Sequence, residues 1–176
     1  MQQYSGYVDQ PGLQQALADA GVGCWWEADA FYVSDLAKAQ SVVAAYNPLP
    51  AIQHQALATV AATLADKLAA GLAIGSNIVA IDAVAQSEIA ALAILALATI
   101  NGTATTPWPT GRAWPVVSGT PIPLTTPQDL IAVGAPAAHY VWSLKNYANG
   151  LAAQIGAATT AAAVQAIDLT SGWPTS

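Results

Sequence analysis

Apolar residues recur every three or four positions in several stretches of the chain, a spacing that places them on one face of an α-helix. Helices are predicted for residues 11–20, 35–46, 50–70, 82–100, 127–155 and 161–167. Ser34 and Asp82 are placed to cap two of them, and Pro50 stands at the first position of a third. Because residues 89–100 are apolar nearly all round, we expect helix 82–100 to be the most buried element.

Short extended segments separate these helices. Three hairpins are predicted: within residues 24–33, across Gly75-Ser76-Asn77, and between residues 114–117 and 120–124. The sequence therefore predicts a mainly α fold with short β-hairpins, of the α+β class, with a long C-terminal helix. Asn47-Pro48-Leu49-Pro50 interrupts the pattern and predicts a small α/β unit over residues 1–48, followed by a helical domain over residues 49–176.

The predicted helix 127–155 carries its apolar residues at alternating three- and four-residue steps for about three heptads, the spacing of a coiled-coil seam. On a chain with few charges, this spacing predicts that the seam faces another chain. The predicted oligomer interface consists of Leu130, Val133, Tyr140, Leu144, Tyr147 and Leu151.

Composition supports association and excludes several partners. Hydrophobic residues make up 55% of the chain and charged residues only 8%, so burial against partner chains is favoured. The net charge of −6, with four Lys and Arg residues, argues against nucleic-acid binding. The N-terminal segment lacks the pattern of a signal peptide, and the apolar run 89–100 is short for a bilayer. We therefore expect a chain made in the cytoplasm, without membrane insertion.

Candidate catalytic chemistry is sparse. His54 and His139 have no partner at metal-ligand spacing, and Cys24 is the only cysteine. Glu27 and Asp29 form a close carboxylate pair that would suit glycosidase-type acid–base work, although a solvated turn is the simpler interpretation. The sequence predicts no enzyme activity, no bound metal and no cofactor.

The chain is unusual in containing six tryptophans. Tryptophan rings close hydrophobic cores and interfaces, and exposed ones bind sugars. Trp25, Trp26 and Tyr32 lie together in the first predicted hairpin. They are the candidate receptor-binding residues, with a host surface glycan as the ligand.

The segment of about residues 50–174 resembles a domain of unknown function that recurs in tail-fibre and other tail-associated proteins of bacteriophages and prophages. The similarity lies in the capped helix that opens at Asp82, in Pro123-Leu124-Thr125 before the long helix, and in the closing segment 161–168 with Gly172-Trp173-Pro174. The resemblance implies a virion component at or near the tail, without catalytic residues. It also implies an oligomer, with a homotrimer preferred because tail fibres are usually trimers.

We therefore expect a bacteriophage structural protein, a tail-fibre or tail-adaptor subunit that binds itself and other virion proteins in assembly or host attachment. The alternative is a receptor- or glycan-binding module that uses the aromatic segment 25–32.

Overall fold

The computed structural model describes residues 2–3, 12–27 and 30–175 of the chain. It is 58% helical with short antiparallel strand pairs, so the predicted mainly α, α+β fold is confirmed. The chain divides into two compact units. The first comprises residues up to Ala58 together with Gln154–Asp168, and the second comprises Thr59–Ala153 together with the residues from Leu169 onward. The predicted division between residues 48 and 49 stays a prediction.

The first unit packs a small sheet against two helices. Its elements are β1 (Gln2–Gln3), α1 (Leu13–Asp19), β2 (Cys24–Glu27), β3 (Ala30–Val33), α2 (Leu36–Ala45), the start of α3 (Leu49–Ala70) and α6 (Ala161–Gln165). The sheet is antiparallel in the order β1-β3-β2, and Cys24 pairs with Val33 in the predicted hairpin. Its core consists of Leu13, Leu17, Val22, Phe31, Val33 and Ala39.

The cap of α2 differs from the prediction by one residue. The carboxylate of Asp35, not the hydroxyl of Ser34, accepts a hydrogen bond from the Lys38 backbone N–H, at 3.0 Å. The Ser34 hydroxyl instead accepts from the Gly23 N–H at 2.8 Å. Ser34 therefore ties the end of β3 to the turn before β2, and the carboxylate beside it caps the helix.

The second unit contains the rest of α3 and most of α5 (Pro127–Ala157), together with α4 (Ala83–Ile100) and five short strands. These strands are β4 (Leu72–Ile74), β5 (Asn77–Val79), β6 (Ala113–Trp114), β7 (Val116–Ser118) and β8 (Ile122–Pro123). The hairpin of β4 and β5 is confirmed, and Leu72 pairs with Val79. Because the Asp82 side chain accepts from the Ala85 N–H at 2.9 Å, the predicted cap of α4 is also confirmed.

The predicted hairpin between residues 114–117 and 120–124 is confirmed in part, because Trp114 pairs with Ile122 in antiparallel strands. β6 pairs with β8, whereas β7 leaves them and adds to β5, giving a sheet in the order β4-β5-β7. Pro115 separates β6 from β7, and its carbonyl accepts the Ala80 N–H at 3.0 Å. The Asn77 side chain accepts from the Thr120 N–H at 2.9 Å. Contacts more than 30 residues away along the sequence therefore decide which strand β7 joins.

The start of α5 follows its predicted signal. The Asp129 N–H donates to the Thr126 hydroxyl at 3.2 Å, and the Asp129 carboxylate accepts from the Thr126 N–H and the Thr125 hydroxyl, each at 2.7 Å. These hydrogen bonds hold the pKa of Asp129 below its ordinary value, with the Thr125 hydroxyl contributing most. A reciprocal capping box of this kind satisfies backbone donors that the first turn leaves unpaired.

The prediction that helix 82–100 is the most buried element is wrong. Only Ala85 and Ala96 of α4 are buried, whereas Ile94 is 74% exposed and Leu97 is 56% exposed. One side of α4 packs against the rest of the second unit, and the described residues of that unit leave its other side exposed. Apolar residues on all sides of a helix favour its burial, but they do not show that residues of the same chain bury it.

Candidate functional site

The apolar seam of α5, predicted as an oligomer interface, forms an intrachain core in the structure. Leu130, Val133 and Leu151 are buried, and Leu144 has no exposed surface at all. Side chains that the rest of the chain already covers have no area left for a second chain. The structure therefore corrects the interpretation of these positions, and whether the protein forms oligomers becomes a question about other residues.

The two tyrosines of the same seam are half-buried and contact the C-terminal segment. The Tyr147 hydroxyl donates to the Ser171 carbonyl at 2.7 Å, and its ring lies 5.1 Å from the ring of Trp173. The Tyr140 hydroxyl donates to the Pro174 carbonyl at 3.4 Å, and partial burial raises the pKa of Tyr140. The closing Trp-Pro segment thus acts as a cover for the core of the second unit.

A different row of residues on α4 is exposed at heptad spacing. Ala83, Ser87, Ala90, Ile94 and Leu97 follow one another at steps of four, three, four and three residues, and all five are exposed. We call this row the α4 stripe. Small residues occupy its first three positions, so another backbone can approach closely there, and the two large apolar side chains stand at its C-terminal end.

A matching row lies on α5, on a different face from the buried seam. Ile131, Ala135, Ala138, Trp142 and Lys145 follow at the same alternating steps, and all five are exposed. We call this row the α5 stripe. Its largest member is Trp142, whose ring is 62% exposed. Sequence reasoning missed this row because alanines and a lysine interrupt it, although its spacing equals that of the seam.

The two stripes border an apolar groove within the second unit, with a cavity of about 580 Å³. Ala90 and Leu97 line one wall, and all five members of the α5 stripe line the other. The floor is formed by apolar side chains and one glycine, namely Ile89, Ala93, Trp114, Leu130, Gly134 and Val141. We call this feature the α4–α5 groove.

Local chemistry explains the shape of the floor and the polarity of one end. The Trp114 indole N–H donates to the Ala80 carbonyl at 3.1 Å, which fixes the ring. A Cβ at Gly134 would lie 3.5 Å from that ring, an ordinary van der Waals distance, so α5 packs directly against Trp114 at this position. At the polar end, the Lys145 ammonium donates to the Gln86 side chain at 3.2 Å. Among the described residues, Lys145 is the only charged one that lines the groove.

The aromatic residues of the first unit lie on both faces of its sheet. The rings of Trp25 and Tyr32 stack, with centroids 6.0 Å apart and planes 13° apart. Both are half-buried and lie on the face opposite to buried Phe31 and Val33. Trp26 tilts against Phe31 at 5.1 Å and is 56% exposed. These three residues therefore form neither a closed core nor a single flat platform.

The described residues show no catalytic arrangement. Among them, no group of three or more His, Cys, Asp or Glu side chains could hold a metal ion. The pair Glu27 and Asp29 cannot be placed, because Asp29 and the Glu27 side chain lie outside the described residues. His139 is exposed, with its ring 6.3 Å from that of Trp142. The absence of enzyme activity, metal and cofactor stays a prediction.

Among the described helices, α4 alone has the length and apolar composition to cross a membrane. Its mean hydropathy is 1.8 over Ala83–Ile100. Length and composition are weak evidence by themselves, since a helix that packs in a protein interface has the same character. One side of α4 is already occupied, because Ala85 and Ala96 are buried.

The fold and the groove define a mainly α protein with an open apolar surface in its second unit. Residues 51–170 match the model of a family described as Domain of unknown function (DUF4376). The match covers more than half of the chain, so the protein belongs to this family. No curated protein and no solved structure matches the chain.

Proposed function

We propose that this protein is a structural component of a bacteriophage virion, an oligomeric tail-fibre or tail-adaptor subunit made in the host cytoplasm. In this role it assembles with copies of itself, as a homotrimer by preference, and with other virion proteins in assembly or host attachment. It is not an enzyme and carries no metal or cofactor.

The observation that carries the proposal is the exposed apolar face of α4 and α5. Two rows of exposed residues at heptad spacing border a groove, and Lys145 is the only charged side chain among its described lining residues. Monomeric proteins rarely expose contiguous apolar patches of this kind, and such patches mark sites of association. The similarity of residues 50–174 to a tail-associated phage domain supports a virion as the place of that association.

Mass spectrometry of purified particles tests this proposal. Particles of the phage that carries the gene would be banded by density and washed in high salt, and the copy number of the chain would be measured against the major capsid protein. We expect a fixed copy number in multiples of three, and antibody labelling at the tail. A chain that is abundant in the infected cell but absent from washed particles would refute the virion role.

The alternative is a receptor- or glycan-binding module, and the exposure of Trp26 favours it specifically. A sugar ring stacks on an exposed indole face, and 56% of Trp26 is open to solvent, on the sheet face opposite to the stacked pair Trp25 and Tyr32. A glycan array probed with the purified chain tests it, with Trp26→Ala as the variant. Trp142→Ala is the matched control, because Trp142 is 62% exposed on the second unit. Binding that only Trp26→Ala abolishes would support this alternative, and no binding would leave the structural role as the better proposal.

A further inference from the structure

We infer that the α4–α5 groove is the surface through which copies of this chain associate, with α4 of one copy lying in the groove of another. The inference deepens the oligomeric part of the proposed function and rests on it. The predicted seam cannot form the contact between copies, because its leucines are buried within one chain. Association therefore needs a different apolar surface.

The spacing of the two walls identifies a helix as the occupant. Positions at alternating three- and four-residue steps keep one helix face turned toward a partner helix. Two such rows on neighbouring helices form a cleft that accepts a third helix, the helix-in-groove mode of recognition. The groove therefore fits an amphipathic or wholly apolar helix better than an extended peptide.

The chain itself carries a helix of this kind. α4 is apolar nearly all round, and its exposed stripe presents Ile94 and Leu97 one turn apart, together with the small side chains of Ala83, Ser87 and Ala90. Small residues permit close approach, and large ones fill a cavity. In a second copy, the same stripe therefore supplies both features that the groove requires.

The available area is sufficient for association between copies. Ile94, Leu97, Ile131 and Trp142 are 74%, 56%, 42% and 62% exposed. With the exposed alanines between them, such fractions correspond to roughly 600 Å² of apolar surface per chain, and two copies reach about 1,200 Å², the lower end of specific interfaces. When copies of the chain associate, each copy supplies both an α4 stripe and a groove, so both surfaces are covered by the same kind of contact.

A membrane surface is the less suitable occupant. In the part of the chain that the structure describes, the groove has one cationic lining residue, Lys145, and its ammonium donates to the Gln86 side chain. The chain has a net charge of −6, so its overall charge disfavours binding to anionic lipid headgroups. A second copy of the chain matches the apolar groove without requiring cationic residues.

Sedimentation velocity of the full chain, over a range of concentrations, tests the inference with two matched variants. Ile94→Gln changes the α4 stripe, which lies in the groove of the partner copy in this arrangement, and Val84→Gln makes the same change at a β-branched residue of α4 that is 68% exposed and lies outside the stripe. Neither side chain lines the groove of its own chain, so the two variants differ in whether the changed residue belongs to the stripe. Glutamine is chosen because a charged residue would interact oppositely with the helix dipole at the two positions. Both side chains are exposed, so circular dichroism should show parent-like folding for both.

We expect the parent to form a defined oligomer and Ile94→Gln to weaken self-association about 100-fold, because an apolar contact is lost and an amide is buried in its place. Val84→Gln should associate like the parent. If the parent is oligomeric and Ile94→Gln does not change its association, the groove assignment is overturned while the oligomeric role stands. A parent that stays monomeric at all concentrations overturns both, as does a monomer that floats with phosphatidylcholine–phosphatidylglycerol vesicles.

Discussion

Replacing Leu144 with alanine distinguishes a core from an interface at the centre of α5. The Leu144 side chain has no exposed surface in the single chain. Its truncation removes buried methyl groups and leaves a cavity, and such changes lower the free energy of unfolding by about 2–5 kcal/mol. Since natural domains are stable by only about 5–15 kcal/mol, we expect Leu144→Ala to remove a large part of the stability of the second unit.

Leu97→Ala is the matched control, because it makes the same chemical change at a side chain that is 56% exposed. We expect it to lower the free energy of unfolding by less than about 1 kcal/mol. Urea unfolding of both variants, followed by tryptophan fluorescence at low protein concentration, measures the difference. With a slope of about 2 kcal/mol per molar urea, Leu144→Ala shifts the midpoint of unfolding down by about 1–2.5 M.

The two leucines should exchange roles when association is measured. Leu97→Ala weakens self-association, because it removes a side chain that lines the α4–α5 groove. Leu144→Ala, when folded, keeps the oligomeric state of the parent. The reasoning is refuted if Leu144→Ala unfolds like the parent but dissociates the parent's oligomer, since Leu144 would then lie in an interface.

Two further predictions concern hydrogen bonds that the structure places at decisive points. Trp114→Phe leaves the Ala80 carbonyl without the indole N–H, so the free energy of unfolding measured by circular dichroism in urea should fall by about 1–3 kcal/mol; an unchanged value would contradict this. The Asp129 carboxylate has a lowered pKa, so its contribution to stability is full above the ordinary pKa of aspartate and is lost as the pH falls through the lowered pKa. Asp129→Ala should therefore unfold at a lower temperature than the parent at pH 7, and this gap should shrink at pH 2.5. A gap of equal size at both pH values would contradict the assigned cause.

Helix ends could be predicted from the sequence because their causes are local. The Asp82 cap acts on a backbone N–H three residues away, and the capping box at Thr126 and Asp129 spans the same distance. The shift from Ser34 to Asp35 shows the limit of this local reasoning. Two adjacent residues can each cap a helix, and the Gly23 N–H, eleven residues away from Ser34, decides between them.

Strand partners and buried faces could not be predicted in the same way. β7 joins β5 across the sequence of α4, and no local pattern records that pairing. The heptad spacing of the α5 seam correctly indicates a continuous apolar face, but it does not say what covers it. Ser171 and Trp173, which contact this face, lie more than 20 residues beyond Tyr147 in the sequence. The apolar residues of α5 would have the same spacing whether the same chain or another chain packed against them.

The apolar surface of α4 is larger than the surface that the rest of the chain buries. A helix with a mean hydropathy of 1.8 is stable in water only if most of its circumference is covered. The second unit covers one side, at Ala85 and Ala96, and leaves Ile94 and Leu97 open. Since a second chain can cover what the first leaves open, the residues at which the burial prediction failed are the ones at which association is expected. The failure at α4 and the correction of the α5 seam therefore both support the proposal that copies of the chain associate through the groove between these two helices.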